Sequence, residues 1–331
     1  MLRTEFISTG MYVPDRVVKN DEFTKWMDTS DEWIRTRTGI EERRWVADGQ
    51  SGADMASEAT KRALERAGMK ASDLDAIIYA TLSPDHFFPG TGVFLQRQLG
   101  IPGVPCLDVR DQCTGFLYGL SIADAWVRTG QYKRVLLVGS EVHSTGMDLT
   151  TRGRDLAVLF GDGAGVAILG PTEADGRGVL STHIFADGNY AEMLFCDAPA
   201  SARSPRLSQE DLDTARIFPR MEGKEVFKHA STRMPESVQL ALQTNGLKVA
   251  DIKVFIPHQA NLRISEMVRR QLGLREEQVF NNIQRYGNTT AGSIPIALDE
   301  VVTAGKLGRG DLLMLAAFGS GFTWGSAAVR W

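Results

Sequence analysis

The most informative stretch for the fold is residues 63–83, ALERAGMKASDLDAIIYATLS, because the chain contains a second, similar stretch. Residues 241–261 read ALQTNGLKVADIKVFIPHQAN, and at a spacing of 178 the two stretches share Ala63/Ala241, Leu64/Leu242, Gly68/Gly246, Lys70/Lys248, Asp73/Asp251 and Ile78/Ile256. In each stretch an amphipathic helical pattern ends at a glycine, and a polar turn leads into an apolar run. Each stretch therefore predicts the same helix–turn–strand unit.

The correspondence continues along the chain in the same order. The further matches are LQRQLGI (95–101) with VRRQLGL (268–274), 113–130 with 288–305, 135–141 with 312–320, and 160–169 with 318–329. Internal repeats of this kind indicate a duplicated architecture. We predict two α/β halves, 1–172 and 220–331, each a mixed sheet covered by helices. Residues 173–219, rich in polar residues and proline, are predicted to be a connection or insertion.

The composition is typical of a soluble globular protein. The 331 residues are 43% hydrophobic and 24% charged, and the formal net charge is -4. This charge argues against broad nucleic-acid binding, although it leaves room for a local basic patch. Three irregularly spaced cysteines form neither a disulfide framework nor a zinc motif and suit a reducing cytoplasm. No apolar run approaches the roughly 20 residues of a membrane helix, and no signal-peptide pattern begins the chain.

Three residues stand where strands end or helices begin. Cys113 precedes a helical pattern, Asn288 corresponds to it at a spacing of 175, and His258 follows the strand of the second repeat. Alone, each has an ordinary structural explanation: a core cysteine, a satisfied polar histidine, and a turn or cap asparagine. Ligands of open α/β sheets gather at strand ends, and two related halves could bring these positions face to face. Their joint placement favours a functional site.

These residue types suit the chemistry of thioesters. A cysteine at a helix N-terminus is expected to have a lowered pKa, and its thiolate could attack a thioester to form an acyl-enzyme. A neutral imidazole and an amide could donate hydrogen bonds to an enolate oxygen. An enolate formed by loss of carbon dioxide needs no strong base. A second oxyanion hole could combine the Cys113 amide with an amide of the turn FGSGF, residues 318–322.

Over essentially its whole length the chain resembles beta-ketoacyl-acyl carrier protein synthase III, a family of thiolase-fold condensing enzymes. The motifs that carry the resemblance are DEWIRTRTGI (31–40), CTGF (113–116), LFGDGAG (159–165), MEGKEVFKHA (221–230), IPHQANLRI (256–264), RYGNTTAGS (285–293) and FGSGFTWG (318–325). The resemblance implies duplicated thiolase-like α/β halves, with mixed sheets and helices stacked in five layers, α-β-α-β-α.

The resemblance also implies an activity. Cys113, His258 and Asn288 match the family's catalytic triad, and the amides of Cys113 and Ser320 match its oxyanion hole. An acyl group would pass from acyl-CoA to Cys113, and malonyl-acyl carrier protein would then decarboxylate and condense with it in fatty acid biosynthesis. The implied partners are acyl carrier protein and a second copy of the chain, and no metal or further cofactor is expected.

Substrate contacts are likewise implied by the resemblance. Trp33 and Arg37 would hold the adenine and phosphate region of CoA, a role that aromatic stacking and guanidinium–phosphate pairing suit. A further CoA contact falls on Arg154, with Arg152 as the alternative. Phe88 would reach across a homodimer interface to wall the acyl pocket.

Docking of an acidic carrier protein calls for basic residues. Lys228 and Arg263 are the expected contacts, whereas Arg269 and Arg270 fit a solvated helix face equally well.

Some positions depart from the family pattern. Asp111 and Gln112 precede the cysteine where small residues are usual, and Ser320 replaces the middle glycine of a triple glycine. These departures leave acyl specificity open. They also leave open a related enzyme of secondary metabolism that joins two acyl-CoAs or transfers the acyl group to an alcohol or amine. A thiol hydrolase and a non-catalytic partner subunit are further alternatives, which the chain order and the complete triad disfavour.

Overall fold

The computed structural model describes residues 2–174 and 176–331. Its strands are β1 (Arg3–Tyr12), β2 (Arg16–Lys19), β3 (Glu42–Trp45), β4 (Ala76–Ala80), β5 (Cys106–Val109), β6 (Val135–Glu141), β7 (Gly163–Thr172), β8 (Gly178–Ala186), β9 (Leu194–Phe195), β10 (Arg220–Met221), β11 (Ile252–Pro257), β12 (Leu312–Gly319) and β13 (Thr323–Arg330).

The helices cover both faces of the two larger sheets. They are α1 (Asp31–Thr38), α2 (Gly52–Ala67), α3 (Thr91–Leu99), α4 (Gly115–Arg128), α5 (Arg154–Ala157), α6 (Gln209–Asp213), α7 (Gly223–Thr244), α8 (Leu262–Leu272), α9 (Ile283–Tyr286) and α10 (Ser293–Thr303). Within residues 2–174 and 176–331, none of the helices combines the length and apolarity that crossing a bilayer requires.

The two larger sheets repeat one topology, as the internal repeat predicts. The first has the order β1-β7-β6-β4-β5, and the second, taken from its other edge, has the order β8-β13-β12-β11. In each sheet the first two pairings are antiparallel and the next is parallel. The counterpart of β5 is reduced to a parallel bridge between Phe255 and Val279. The sheets therefore derive from one unit used twice.

Strand β8 lies inside the predicted connection, 173–219. It pairs antiparallel with β13 and occupies the place that β1 holds in the first sheet. The structural repeat thus begins at β8 rather than at residue 220, and the insertion is the stretch between β8 and α7. The sequence of β8, GVLSTHIFA, gives no clear strand pattern. Most of its residues are only partly buried, so apolar and polar positions do not alternate clearly.

Three of the apolar clusters formed by the described residues pack the layers of helices and sheets together. The central core holds α4 and α10 between the sheets, with Leu117 and Leu298 among its buried residues. The outer cores pack α2 and α3 on the first sheet, and α7 and α8 on the second, around residues such as Met55 and Met234. Each sheet is covered on both faces, so its central strands are apolar throughout. The predicted α-β-α-β-α arrangement is confirmed.

Glycines in the first sheet allow the backbone at the start of α10 to pack closely against it. A Cβ on Gly139 of β6 would overlap the carbonyl oxygen of Ala291, in the turn before α10. A Cβ on Gly165 of β7 would lie 2.5 Å from the nitrogen of Ile296. The backbone of the second half therefore lies directly on the first sheet, and this contact sets where the start of α10 stands.

We expect Gly139→Ala to destabilise the protein by about 1–3 kcal/mol, since backbone must shift to admit the methyl group. Gly188→Ala is the matched control, because a Cβ there meets nothing within 4 Å. It should change the free energy of unfolding by less than about 0.5 kcal/mol. Urea unfolding of the two variants measures the difference, and equal stability would show that the contact between the halves is not tight.

Candidate active site

Cys113 lies in a single 3-10 turn, Gln112–Thr114, directly before α4. Its side chain is 8% exposed. Gly319, at the end of β12, packs so closely that a Cβ there would lie 2.9 Å from the Cys113 Cβ. The Thr114 and Thr323 hydroxyls, 2.7 Å apart, join the same turn to β13. The second sheet thus fixes the turn of the first half that carries Cys113, the candidate nucleophile.

The expected lowering of the Cys113 pKa is wrong for this structure. Burial raises the pKa of the Cys113 thiol to about 12, and the nearby Glu141 carboxylate adds to the rise. The helix N-terminus cannot offset the loss of water around the sulfur. Cys113 is therefore a thiol in this structure, and a nucleophilic role would require it to give up its proton.

His258 follows β11 and is 3% exposed. Its backbone N–H donates to the Ala316 carbonyl at 2.7 Å, and its Nδ1 lies 2.6 Å from the Ser293 Oγ. The Ser293 Oγ also accepts the Gln259 N–H at 3.3 Å. A Ser293 hydroxyl that donates to Nδ1 would put the imidazole proton on Nε2. His258 Nε2 is buried and has no hydrogen-bond partner among the described residues.

Burial lowers the pKa of His258 to about 3. The ring is therefore uncharged near neutral pH, as the sequence predicts for a hydrogen-bond donor. A neutral imidazole whose Nε2 carries a proton can donate to a substrate oxygen without bringing a charge into the site.

Asn288 stands in the turn between α9 and α10 and is 5% exposed. Its N–H donates to the Leu159 carbonyl at 2.8 Å, and its carbonyl accepts the Gly161 N–H at 3.1 Å. The side-chain Oδ1 accepts the Thr290 N–H at 2.8 Å. Because Oδ1 is engaged in the turn, Nδ2 is the group left to donate to a substrate.

The segments that carry the predicted trio contact one another where the two halves join. The Cys113 and Asn288 turns occupy equivalent places before α4 and α10. A Cβ on Gly115, the first residue of α4, would lie 3.6 Å from the Ala291 Cβ in the turn before α10. His258 is hydrogen-bonded to Ser293, the first residue of α10. One junction of the two halves therefore carries all three segments.

Ser320 follows Gly319 in the turn between β12 and β13, so its amide stands one residue from the Cys113 contact. Its hydroxyl donates to the Leu194 carbonyl of the insertion. The Ser320 side chain therefore points to the insertion. The Ser320 backbone N–H remains a candidate donor for the oxyanion hole.

Sequence reasoning missed two groups beside this junction, the buried Glu141 and the half-buried His143. Burial raises the pKa of Glu141 to about 7, although Ser83 Oγ donates to it at 2.6 Å. His143 Nε2 lies 2.6 Å from the Thr290 Oγ1, next to the Asn288 turn. Their position directly after a predicted strand, in SEVHS, is the signal that could have revealed them.

The expected CoA contacts form one cluster. The guanidinium carbons of Arg37 and Arg154 lie 4.4 Å and 4.5 Å from the centre of the Trp33 ring. Arg152 instead binds Asp148, with Nε 2.6 Å from Oδ2. Geometry therefore favours Arg154 over Arg152 as the third member of the cluster.

The remaining expected contacts lie on the surface. Phe88 is 77% exposed in the loop between β4 and α3. Lys228 of α7 is exposed, and Arg263 at the start of α8 packs over Phe227 with 5.9 Å between guanidinium carbon and ring centre. Arg269 and Arg270 share Glu266 as a salt-bridge partner, which makes them a paired helix face.

The duplicated five-layer fold is that of the thiolase-like condensing enzymes. The chain matches the family described as 3-Oxoacyl-[acyl-carrier-protein (ACP)] synthase III over residues 107–188, and the C-terminal part of that family over residues 242–331. The chain belongs to this family. It is an acyltransferase, a condensing enzyme of fatty acid biosynthesis.

Individual relatives agree along the whole chain. The beta-ketoacyl-[acyl-carrier-protein] synthase III of Geobacillus kaustophilus (strain HTA426) is 46% identical over 325 residues, 98% of each chain. The crystal structure of 3-oxoacyl-[acyl-carrier-protein] synthase III from Aquifex aeolicus VF5 superposes with a TM-score of 0.91 at 41% identity, covering 99% of this chain and 100% of that one. The priming beta-ketosynthase from the R1128 polyketide biosynthetic pathway has a TM-score of 0.89 at 32% identity, covering 99% and 96%.

The neutral state of His258 predicts a pH dependence of stability. Its pKa is depressed from 6.5 to about 3 on folding. Between these two pH values the imidazole is protonated in the unfolded chain and neutral in the folded protein. This contribution is complete above pH 6.5 and is lost as the pH falls, by about 1.5 kcal/mol between pH 6.5 and 5. His258→Gln should lose correspondingly less over that interval in urea unfolding. Parallel losses for wild type and variant would mean that His258 is charged in the folded protein.

Proposed function

We propose that the enzyme condenses an acyl-CoA primer with malonyl-acyl carrier protein through an acyl-Cys113 intermediate. The Cys113 sulfur attacks the thioester carbonyl, and CoA leaves as a thiol with the proton that Cys113 gives up. The malonyl thioester then loses carbon dioxide, and the electron pair of the broken bond forms an enolate. The enolate carbon attacks the acyl-Cys113 carbonyl, and the sulfur leaves as a thiolate that takes a proton from solvent. The product is 3-oxoacyl-acyl carrier protein.

The observation that carries this proposal is the buried Nε2 of His258, which has no hydrogen-bond partner among the described residues, on a ring bonded to Ser293 of the helix that follows the Asn288 turn. Both residues present uncharged donors, since the His258 pKa is low and Asn288 Oδ1 is engaged by Thr290. Two donors aimed at one thioester oxygen stabilise the enolate that decarboxylation leaves, and removing one such donor typically costs about 100- to 1,000-fold in rate. A hydrolytic mechanism would need a base to activate water, and a ring with this pKa is a weak base.

A related enzyme with another acceptor is the second candidate. Asp111 stands two residues before the nucleophile and is partly buried, and burial raises the pKa of its carboxyl group. A polar group there, and the similarity to the priming beta-ketosynthase, favour an unusual acyl group or an acceptor of secondary metabolism. Incubation with malonyl-acyl carrier protein and a panel of acyl-CoAs separates the two, because carbon dioxide release without a 3-oxoacyl product would support the second.

We propose that a second copy of the chain completes the acyl pocket. Strand β5 is an edge strand, and exposed apolar side chains surround it: Phe87, Phe88, Val93 and Leu107. A patch of this kind marks an interaction surface. In a homodimer built on this edge, Phe88 would enter the partner's acyl pocket.

The two chemical steps are expected to separate by mutation. Cys113→Ala should abolish acyl transfer, since no other group can form the thioester. Asn288→Ala should keep Cys113 acylation near the wild-type rate and slow decarboxylation and condensation by about 100-fold or more. Mass spectrometry after acyl-CoA treatment measures the first step, and carbon dioxide release from malonyl-acyl carrier protein measures the second. Equal slowing of both steps by Asn288→Ala would contradict this division of roles.

The arginine cluster makes a separate prediction for CoA. Arg154→Ala should raise KM for acyl-CoA about 10-fold, because a guanidinium paired with phosphate is lost. Arg152→Ala is the control, since Asp148 already binds its guanidinium. Steady-state kinetics with varied acyl-CoA concentration measure KM for both variants. A larger increase in KM for Arg152→Ala than for Arg154→Ala would assign the CoA contact to Arg152.

Carrier-protein docking makes a third prediction. Replacing Lys228 and Arg263 together by alanine should raise KM for malonyl-acyl carrier protein, weaken its salt dependence and leave KM for acyl-CoA unchanged. Arg270→Ala is the control on the same helix as Arg263, because its guanidinium is paired with Glu266. An unchanged KM for the carrier substrate in the double variant would place the docking surface elsewhere.

A further inference from the structure

The loop after β6 carries a histidine that the proposed mechanism does not use. His143 lies in a pocket of polar and aromatic groups beside the Asn288 turn, with its ring centre 4.5 Å from that of Phe160. Phe160 in turn forms a parallel bridge with Asn288. His143 therefore contacts the segment that holds the catalytic asparagine.

One hydrogen bond links His143 to that segment. His143 Nε2 lies 2.6 Å from the Thr290 Oγ1, and the Thr290 N–H donates to the Asn288 Oδ1 at 2.8 Å. Two bonds thus connect the histidine ring to the catalytic amide through a single residue. Thr290 is 1% exposed, so water does not compete for its hydroxyl.

Thr290 adopts a backbone conformation that threonine rarely takes. Its φ is +48°, in the left-handed region that favours glycine, and a β-branched residue there is strained. Such a conformation persists only where its surroundings enforce it. The hydrogen bond to His143 helps to keep Thr290 in this conformation. It ties the Thr290 hydroxyl to the first half of the protein, whereas the Thr290 backbone belongs to the second half.

His143 is itself firmly held. Its N–H donates to the Asp162 Oδ1 at 2.6 Å, and Asp162 also accepts the Ser144 N–H at 2.9 Å and the Val46 N–H at 2.8 Å. Burial lowers the pKa of His143 to about 3, so the ring is uncharged. A fixed, neutral ring can anchor the Thr290 hydroxyl without placing a charge near Asn288.

We propose that His143 is a positioning residue that, through Thr290, orients the Asn288 amide for the decarboxylation step. The inference rests on the proposed function, since it concerns the donor role of Asn288 Nδ2. Cys113 stands on the other turn, Gln112–Thr114, and is fixed by Gly319 and β13. Loss of the His143 bond should therefore disturb the second chemical step and spare the first.

His143→Phe tests the proposal because it keeps a ring against Phe160 and removes the hydrogen bond. We expect decarboxylation of malonyl-acyl carrier protein to slow about 10- to 100-fold, the usual result of misplacing a catalytic group by about 1 Å. KM for the malonyl substrate and the rate of Cys113 acylation should stay within about twofold of wild type. His143→Gln, which can donate an N–H to Thr290, should recover most of the loss.

Two further variants distinguish positioning from general damage. His183→Phe is the matched control, because His183 makes a similar bond to Ser181 on β8, with 3.0 Å between Nε2 and Oγ. It should leave both steps unchanged. Thr290→Val keeps the branched shape and removes only the hydroxyl, so it should match His143→Phe, and the double variant should be no slower than either single one. Thermal unfolding checks that all variants are folded.

The inference is overturned if His143→Phe slows acylation as much as decarboxylation, if the Gln variant recovers nothing, or if the losses of the two single variants multiply. Wild-type enzyme that is acylated but releases no carbon dioxide would instead reject the proposed function, and this inference with it. Normal wild-type turnover with an unaffected His143→Phe would reject the inference alone.

Discussion

Direct backbone contact between the two halves is the constraint on which the rest of the structure depends. Gly139 lets the turn before α10 lie on β6, and Gly319 lets β12 lie on the turn that carries Cys113. Each half thus places a strand against the turn of the other half. Because these contacts are made by backbone and not by long side chains, they define the relative positions of Cys113, His258 and Asn288 within narrow limits.

Such close packing excludes water from the side chains at the junction. This loss of solvation determines which of their titratable groups are charged. The Cys113 pKa rises and the His258 and His143 pKa values fall, so all three groups are neutral near pH 7. Uncharged donors are suited to a reaction in which the substrate brings its own negative charge. In the proposed reaction the charge of a malonyl carboxylate would become that of an enolate, and uncharged donors would stabilise it without holding the product as an ion pair would.

The sequence was sufficient for the architecture, because the duplication is visible in the internal repeat. Cys113 and Asn288 correspond at one spacing, and in the structure they begin equivalent helices. Strand β8 was not recognised, since its half-exposed residues give a weak alternation and only its pairing with β13 defines it. The direction of the Cys113 pKa was missed because helix position can be inferred from a pattern, whereas burial by the other half cannot. Arg154 and Arg152 could not be separated until Trp33 and Asp148 were seen beside them. The link from His143 to Thr290 joins residues 147 positions apart through an unusual backbone angle, and no local pattern predicts it.

Nitrogen NMR of the enzyme labelled at histidine, with His258→Gln for assignment, measures the protonation of His258 most directly. The account predicts a neutral ring protonated at Nε2, with chemical shifts that do not change between pH 5 and 8. A His258 signal that titrates near pH 6.5, or one that shows a charged ring at neutral pH, would contradict the claim that this site works with uncharged donors.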